Sequence, residues 1–137
     1  MNRITIPLIA VSILISCTLL MQAEKEYEYK LYENDTYIDS FDAVSPGLYE
    51  FTFYSDETVD VVFFDNREDA LLFADSGEVY SESVMYPLMF KSVVYFSEDI
   101  FIYDPAVIYF VVDNTDNLSA GSIATNIKLY AYYHKED

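Results

Sequence analysis

After Ala23 the chain alternates apolar and polar residues with a period of two over most of its length, the pattern of strands that bury one face. Tyr27 to Tyr32 alternates Tyr/Leu with Glu/Lys, and Tyr37, Asp39 and Phe41 continue in extended style to a Ser45-Pro46-Gly47 turn. Tyr49, Phe51 and Phe53 share one face, and Asp56-Glu57 reads as the next turn. Val59–Phe64 and Ile108–Val112 are apolar on both faces, which marks central strands. Val93–Phe96 and Ile100–Tyr103 are shorter runs separated by Ser97-Glu98-Asp99. The closing strand is the most regular: Ile123, Thr125, Ile127, Leu129, Ala131 and Tyr133 alternate strictly with Ala124, Asn126, Lys128, Tyr130 and Tyr132. The spacing therefore predicts eight strands.

Between Asn66 and Met89 the period changes. Asn66 is an N-cap for a short helix over Arg67–Ala74, with Asp69 in its first turn and Asp75-Ser76-Gly77 as its stop. Glu78 to Met89 holds Pro87 and no persistent period, and reads as a long connection. Many strands, one helix and a crossing loop predict an all-β fold, a β-sandwich of Greek-key or jelly-roll type over residues 24–137.

Residues 1–23 are a different kind of polymer. Behind Met1-Asn2-Arg3, Ile4–Ala23 carries no charge, while all 24 acidic and all 24 aromatic side chains follow it. A basic flank and an apolar run are the marks of an export signal or membrane anchor helix, and Arg3 keeps the amino terminus cytoplasmic while the acidic remainder crosses. Leu14-Ile15-Ser16-Cys17 resembles the lipobox of prokaryotic lipoproteins, which implies lipidation of Cys17 and cleavage before it. Thr18-Leu19-Leu20-Met21 stays apolar, so an uncleaved anchor is also open, since about 20 residues span a bilayer core; cleavage after Ala23 would give a soluble secreted form. Two of these three fates tether the protein to a membrane, and all three place the domain outside the cytoplasm, in the cell envelope or beyond.

Composition narrows the functional classes. The chain has 137 residues, a net charge of −17 and a single Cys, which lies in the amino-terminal segment, so the folded part has no disulfide and relies on packing. Without Arg3, 6 basic residues face 24 acidic ones over residues 24–137, a charge of about −18 that repels phosphates and excludes nucleic acid as a partner.

The order Val59-Asp60-Val61-Val62-Phe63-Phe64-Asp65, an acidic connection, then Val107-Ile108-Tyr109-Phe110-Val111-Val112-Asp113-Asn114-Thr115 and a long final strand resembles the small β-sandwich domains of the GOLD-like and pre-peptidase C-terminal type, also found in uncharacterised archaeal and bacterial surface proteins. The resemblance implies a non-catalytic accessory or interaction module. It departs from the family at Asp104-Pro105-Ala106, where a Gly usually precedes the tyrosine-bearing strand.

Catalytic chemistry finds no footing in the sequence. His134 is the sole His and stands three residues from the carboxyl end, on an expected frayed edge where a base cannot be held against a nucleophile. There is no phosphate loop and no nucleophile elbow, and acids spread over turns read as solvation. The residues thus give no catalytic site, no assigned metal site and no cofactor. Two binding chemistries stay open. Asp113-Asn114-Thr115-Asp116-Asn117 offers oxygen ligands of the kind Ca²⁺ takes, against the plainer reading of an Asx turn that satisfies its own backbone. Tyr130 and Tyr132 face outward if Ile127 and Leu129 face the core, and outward tyrosines stack on sugars or anchor a protein partner, against the plainer reading that a neighbouring loop or the amino-terminal strand covers them. Asn34-Asp35-Thr36 and Asn117-Leu118-Ser119 match the N-glycosylation pattern. The expected role is a non-catalytic, envelope-tethered binding or structural module, the alternative a secreted carbohydrate- or calcium-binding one.

Overall fold

The computed structural model describes residues 23–78, 84–115 and 123–134, with the backbone alone over 84–87. The export segment with Cys17 lies outside the described residues, as does Asn117. Among the described residues no helix is long and apolar enough to cross a membrane.

Among the described residues there are six strands and one helix: β1 Lys25–Leu31, β2 Thr36–Ala43, β3 Gly47–Phe64, α1 Arg67–Ser76, β4 Val84–Ile102, β5 Ala106–Asp113 and β6 Thr125–His134. All strand pairings are antiparallel. The expected eight strands become six because four predicted runs fuse into two long strands. β3 joins 49–53 to 59–64, and β4 joins 93–96 to 100–102 and extends back to Val84.

Two long strands that change layers explain the architecture. The first half of β3, Leu48–Ser55, pairs with β6, and the second half, Asp60–Phe64, pairs with β5, while β4 follows β3 along both halves. One layer is therefore β1-β6-β3-β4 and the other β2-β5-β3-β4, with corners where the strands pass between them. The corner in β3 is the predicted Asp56-Glu57 turn, which is instead a bulge: between Tyr54 and Val59 the register against β4 slips. Thr125 holds it, its Oγ1 accepting from Glu57 N at 2.9 Å and lying 2.9 Å from Ser55 Oγ. A turn and a bulge draw on the same polar residues, so the local sequence does not separate them.

The corner in β4 carries the second correction. Val84–Met89, expected as part of a connection, is strand, with Phe64 opposite Val84 and Val62 opposite Met89. Pro87 falls in a register shift between those pairs, the place within a sheet where a missing N–H is tolerated. A further bulge at Lys91-Ser92 sets Ser92 at φ 52°. The Ser92 N–H donates to Oδ1 of Asp60 at 2.8 Å, which gives the buried Asp60 a structural task.

The both-faced apolar strands are confirmed. Val59, Val61 and Phe63 point between the layers with Phe51, Phe53, Phe96, Ile108 and Phe110, while Val62, Phe64 and Val111 point the other way, under Ala70 and Phe73 of α1. Phe63 sits at the centre of the main core, its ring centroid 5.2 Å from Phe51, 5.9 Å from Phe110 and 6.1 Å from Phe96. Each such ring contributes about 1.5–3 kcal/mol by leaving water, which supplies stability without a disulfide. The helix runs two residues beyond its predicted end. Asn66 Oδ1 accepts from Glu68 N and Asp69 N, and Gly77, at φ 74°, closes it with a bond to the Phe73 carbonyl.

β1 and β2 are the outer strands of the two layers, and no ladder joins them. Side chains close the gap: Tyr27 donates its hydroxyl hydrogen to the Ser40 carbonyl at 2.5 Å, and the rings of Tyr29 and Tyr37 stack at 4.5 Å. Glu26, Glu28 and Lys30 keep the outer face of β1 charged, which discourages edge-to-edge pairing.

Candidate functional site

Strand parity builds a second aromatic surface on the solvent side of the first layer. With Tyr49, Phe51 and Phe53 buried inward, Leu48, Glu50, Thr52 and Tyr54 of β3 point outward. With Ile127, Leu129 and Ala131 inward, Lys128, Tyr130, Tyr132 and His134 of β6 point outward, as the sequence predicted for the two tyrosines. Phe96 and Ile102 turn Tyr95, Ser97, Asp99 and Phe101 of β4 to the same side.

The register sorts these side chains into rows. Tyr95, Tyr54, Lys128 and Glu28 form one; Ser97, Thr52, Tyr130 and Glu26 the next; then Asp99, Glu50 and Tyr132; then Phe101, Leu48 and His134. The tyrosines approach one another within and across the rows. Tyr54 lies 5.2 Å from Tyr95 and 6.1 Å from Tyr130, and Tyr130 lies 6.3 Å from Tyr132 in a stacked pair. Tyr54 and Tyr95 are 47% and 54% exposed and Tyr130 and Tyr132 are half-buried, and the rings are inclined to one another, Tyr54 at 48° to Tyr95 and 80° to Tyr130, so the track offers solvent a tilted aromatic surface and not a flat platform. Burial, the charges of Glu50 and Glu26 and the neighbouring Tyr54 and Tyr130 push the Tyr132 hydroxyl up, keeping it a hydrogen-bond donor. Carboxylates and Lys128, which reaches Glu28 at 3.7 Å, rim the aromatic track. Such a face can stack on apolar ring faces and hydrogen-bond at its rim.

Tyr54 and Tyr95 were not singled out by the sequence. Their partnership with Tyr130 depends on cross-strand register, which no local pattern encodes. His134 also differs from expectation: it is half-buried in β6 and paired with Leu48, held in the ladder.

The remaining candidates lie elsewhere. Asp113 Oδ1 accepts from Thr115 N at 3.0 Å and Thr115 Oγ1 at 2.6 Å, the geometry of an Asx turn. Asn114 Nδ2 donates to the carbonyls of Tyr32 and Ile123, tying together the ends of β1, β5 and β6. Asp116 lies outside the described residues. Asn34 is exposed at φ 58° in the β1–β2 turn. An open hollow of about 550 Å³ at one end of the sandwich is lined by Glu24, Lys25, Phe41, Asp42, Tyr49 and Tyr133 among others. The two tyrosine hydroxyls there are engaged by the β2–β3 turn, Tyr49 with the Ser45 carbonyl and Tyr133 with that of Pro46.

No family model and no curated protein matches the sequence. Among solved structures, the pre-peptidase C-terminal domain of collagenase from Bacillus anthracis is similar over 78% of this chain and 87% of its own, with a TM-score of 0.51 at 11% identity. The carbohydrate-binding module TmCBM61, in complex with beta-1,4-galactotriose, matches 82% of this chain and 73% of its own with a TM-score of 0.43 and 10% identity. The first likeness establishes the β-sandwich fold type that the sequence resemblance implied.

Proposed function

We propose that the chain is a non-catalytic binding module on the outer side of a membrane, and that its tyrosine face takes a glycan. The observation that carries this reading is the continuous ring track Tyr95–Tyr54–Tyr130–Tyr132 across three neighbouring strands, exposed at Tyr95 and Tyr54, half-buried at Tyr130 and Tyr132 and edged by hydrogen-bonding groups. Tyr rings present broad contact area with little conformational entropy to lose, and a sheet holds them at fixed spacing. The apolar segment Ile4–Ala23 behind Arg3 supports export, and Cys17 supports a lipid tether at the membrane surface.

A glycan array probed with the full-length chain in an amine-oxide detergent, which itself carries no sugar, tests the ligand class. Retention of a defined oligosaccharide family, lost in Tyr130→Ala, supports the reading. An empty array, together with co-purification of an envelope protein that sugars do not displace, would assign the face to a protein partner instead.

A further inference from the structure

Beside the tyrosine track, the sheet register gathers the sole histidine of the chain and two carboxylates. Glu50 and Asp99 are direct cross-strand partners in β3 and β4, and His134 in β6 pairs with Leu48, diagonal to Glu50 on the same outward face. One donor atom from each of Glu50, Asp99 and His134 lies within 4.8 Å of the other two. We propose that these three residues form a binding site for a divalent transition-metal ion of the Zn²⁺ type.

Donor chemistry favours that class. One imidazole nitrogen with two carboxylate oxygens suits Zn²⁺ and its neighbours, whereas Ca²⁺ requires six to eight oxygen ligands, as a rule of about that number. A tetrahedral ion with bonds of about 2.1 Å holds its donors about 3.4 Å apart. Closing from the observed spacing takes rotamer adjustments of roughly an ångström, within the freedom of an exposed Asp99 and a half-buried Glu50. Electrostatics point the same way. Two carboxylates directly opposite each other on adjacent strands repel, and neither Glu50 nor Asp99 makes an ion pair with a described residue. A dication turns that repulsion into a clamp across β4, β3 and β6. Three protein ligands would leave a fourth position for water, the arrangement of an open rather than a closed site.

The site adjoins the track at Tyr132 but takes no ligand from its rings, and metal titration without sugar and sugar binding without metal read the two proposals separately. Titration calorimetry of the full-length, tag-free chain in amine-oxide detergent with ZnCl₂ is expected to show one ion bound per chain. His134→Ala and Glu50→Gln should each weaken that binding about tenfold or more, with CaCl₂ failing to compete. Because the chain has a single His, a second readout needs no variant: Co²⁺ should shift the one set of imidazole proton resonances. The absence of stoichiometric Zn²⁺ binding, variants that bind as tightly as the parent, or imidazole resonances unmoved by Co²⁺ would each overturn the proposal.

Discussion

The ring of Tyr133 lies over Gly47 so closely that a Cβ at Gly47 would stand 2.6 Å from its Cε1 and 2.9 Å from its hydroxyl oxygen. Gly47 opens β3 at φ +149°, a backbone conformation that side chains rarely adopt, and the Tyr133 hydroxyl donates to the carbonyl of the preceding Pro46 at 2.9 Å. The turn, the start of β3 and the end of β6 are thereby locked together. Gly47→Ala is expected to cost about 2–4 kcal/mol from overpacking and backbone strain, read as a lower denaturation midpoint. In a Tyr133→Ala background, which has lost that bond itself, the same Gly47→Ala change should cost only the backbone share. A Gly47→Ala protein as stable as the parent would contradict this geometry.

Alkaline pH should loosen the seam between β1 and β2. Burial raises the hydroxyl pKa of Tyr27, with Asp39 and Tyr37 adding to the effect, and burial together with the 2.7 Å hydrogen bond to Asp39 raises that of Tyr37. Both hydroxyls stay protonated in the fold at pH values where the unfolded chain ionises them, near 10. Their contribution is complete below that value and is lost as pH climbs from there toward the raised folded-state values, because the unfolded state then binds fewer protons. Denaturation midpoints should fall above pH 10, and the share of the tyrosinate absorbance that Tyr27 and Tyr37 supply should lag until unfolding. Midpoints that hold steady across this range would sink the claim.

At α1, Asn66 supplies both side-chain bonds of the N-cap. Asn66→Ala should cost about 1 kcal/mol and Asn66→Asp close to nothing, with equal losses from the two variants arguing against capping. The helix roofs Val62, Phe64 and Val111, so its fraying exposes core and shows as faster amide exchange along 70–76.

Cap, stop and both-faced strands were legible in the sequence because each is a local device: Asn66 and Gly77 act within one turn, and Val61–Phe64 is apolar whichever neighbour covers it. The corners were not. Asp56-Glu57 carries residues that serve a turn and a bulge alike, and Pro87 with Lys91-Ser92 interrupts the alternation of a strand that continues through them. Half of the aromatic track followed from parity alone, in Tyr130 and Tyr132. Tyr54, Tyr95 and the approach of Glu50, Asp99 and His134 arise from the pairing of strands distant in sequence.

The tether is tested at one residue. If Cys17 is lipidated, the native protein has lost Met1–Ser16 and carries acyl chains, and Cys17→Ser accumulates as uncut precursor or leaves the membrane fraction. An intact mass that still includes Met1–Ser16 without a lipid adduct would replace the lipoprotein tether with an uncleaved apolar anchor.

Binding at the tyrosine face is tested most directly by the dissociation constant of the oligosaccharide selected on the array, compared across Tyr54→Ala, Tyr130→Ala and Leu71→Ala. Leu71 is exposed on α1, which covers the other layer. Each tyrosine variant should weaken binding about tenfold or more, in keeping with loss of a central aromatic anchor, while Leu71→Ala binds as the parent does. Undiminished affinity in both tyrosine variants, with their melting temperatures unchanged, would contradict the assignment of this face as the binding surface.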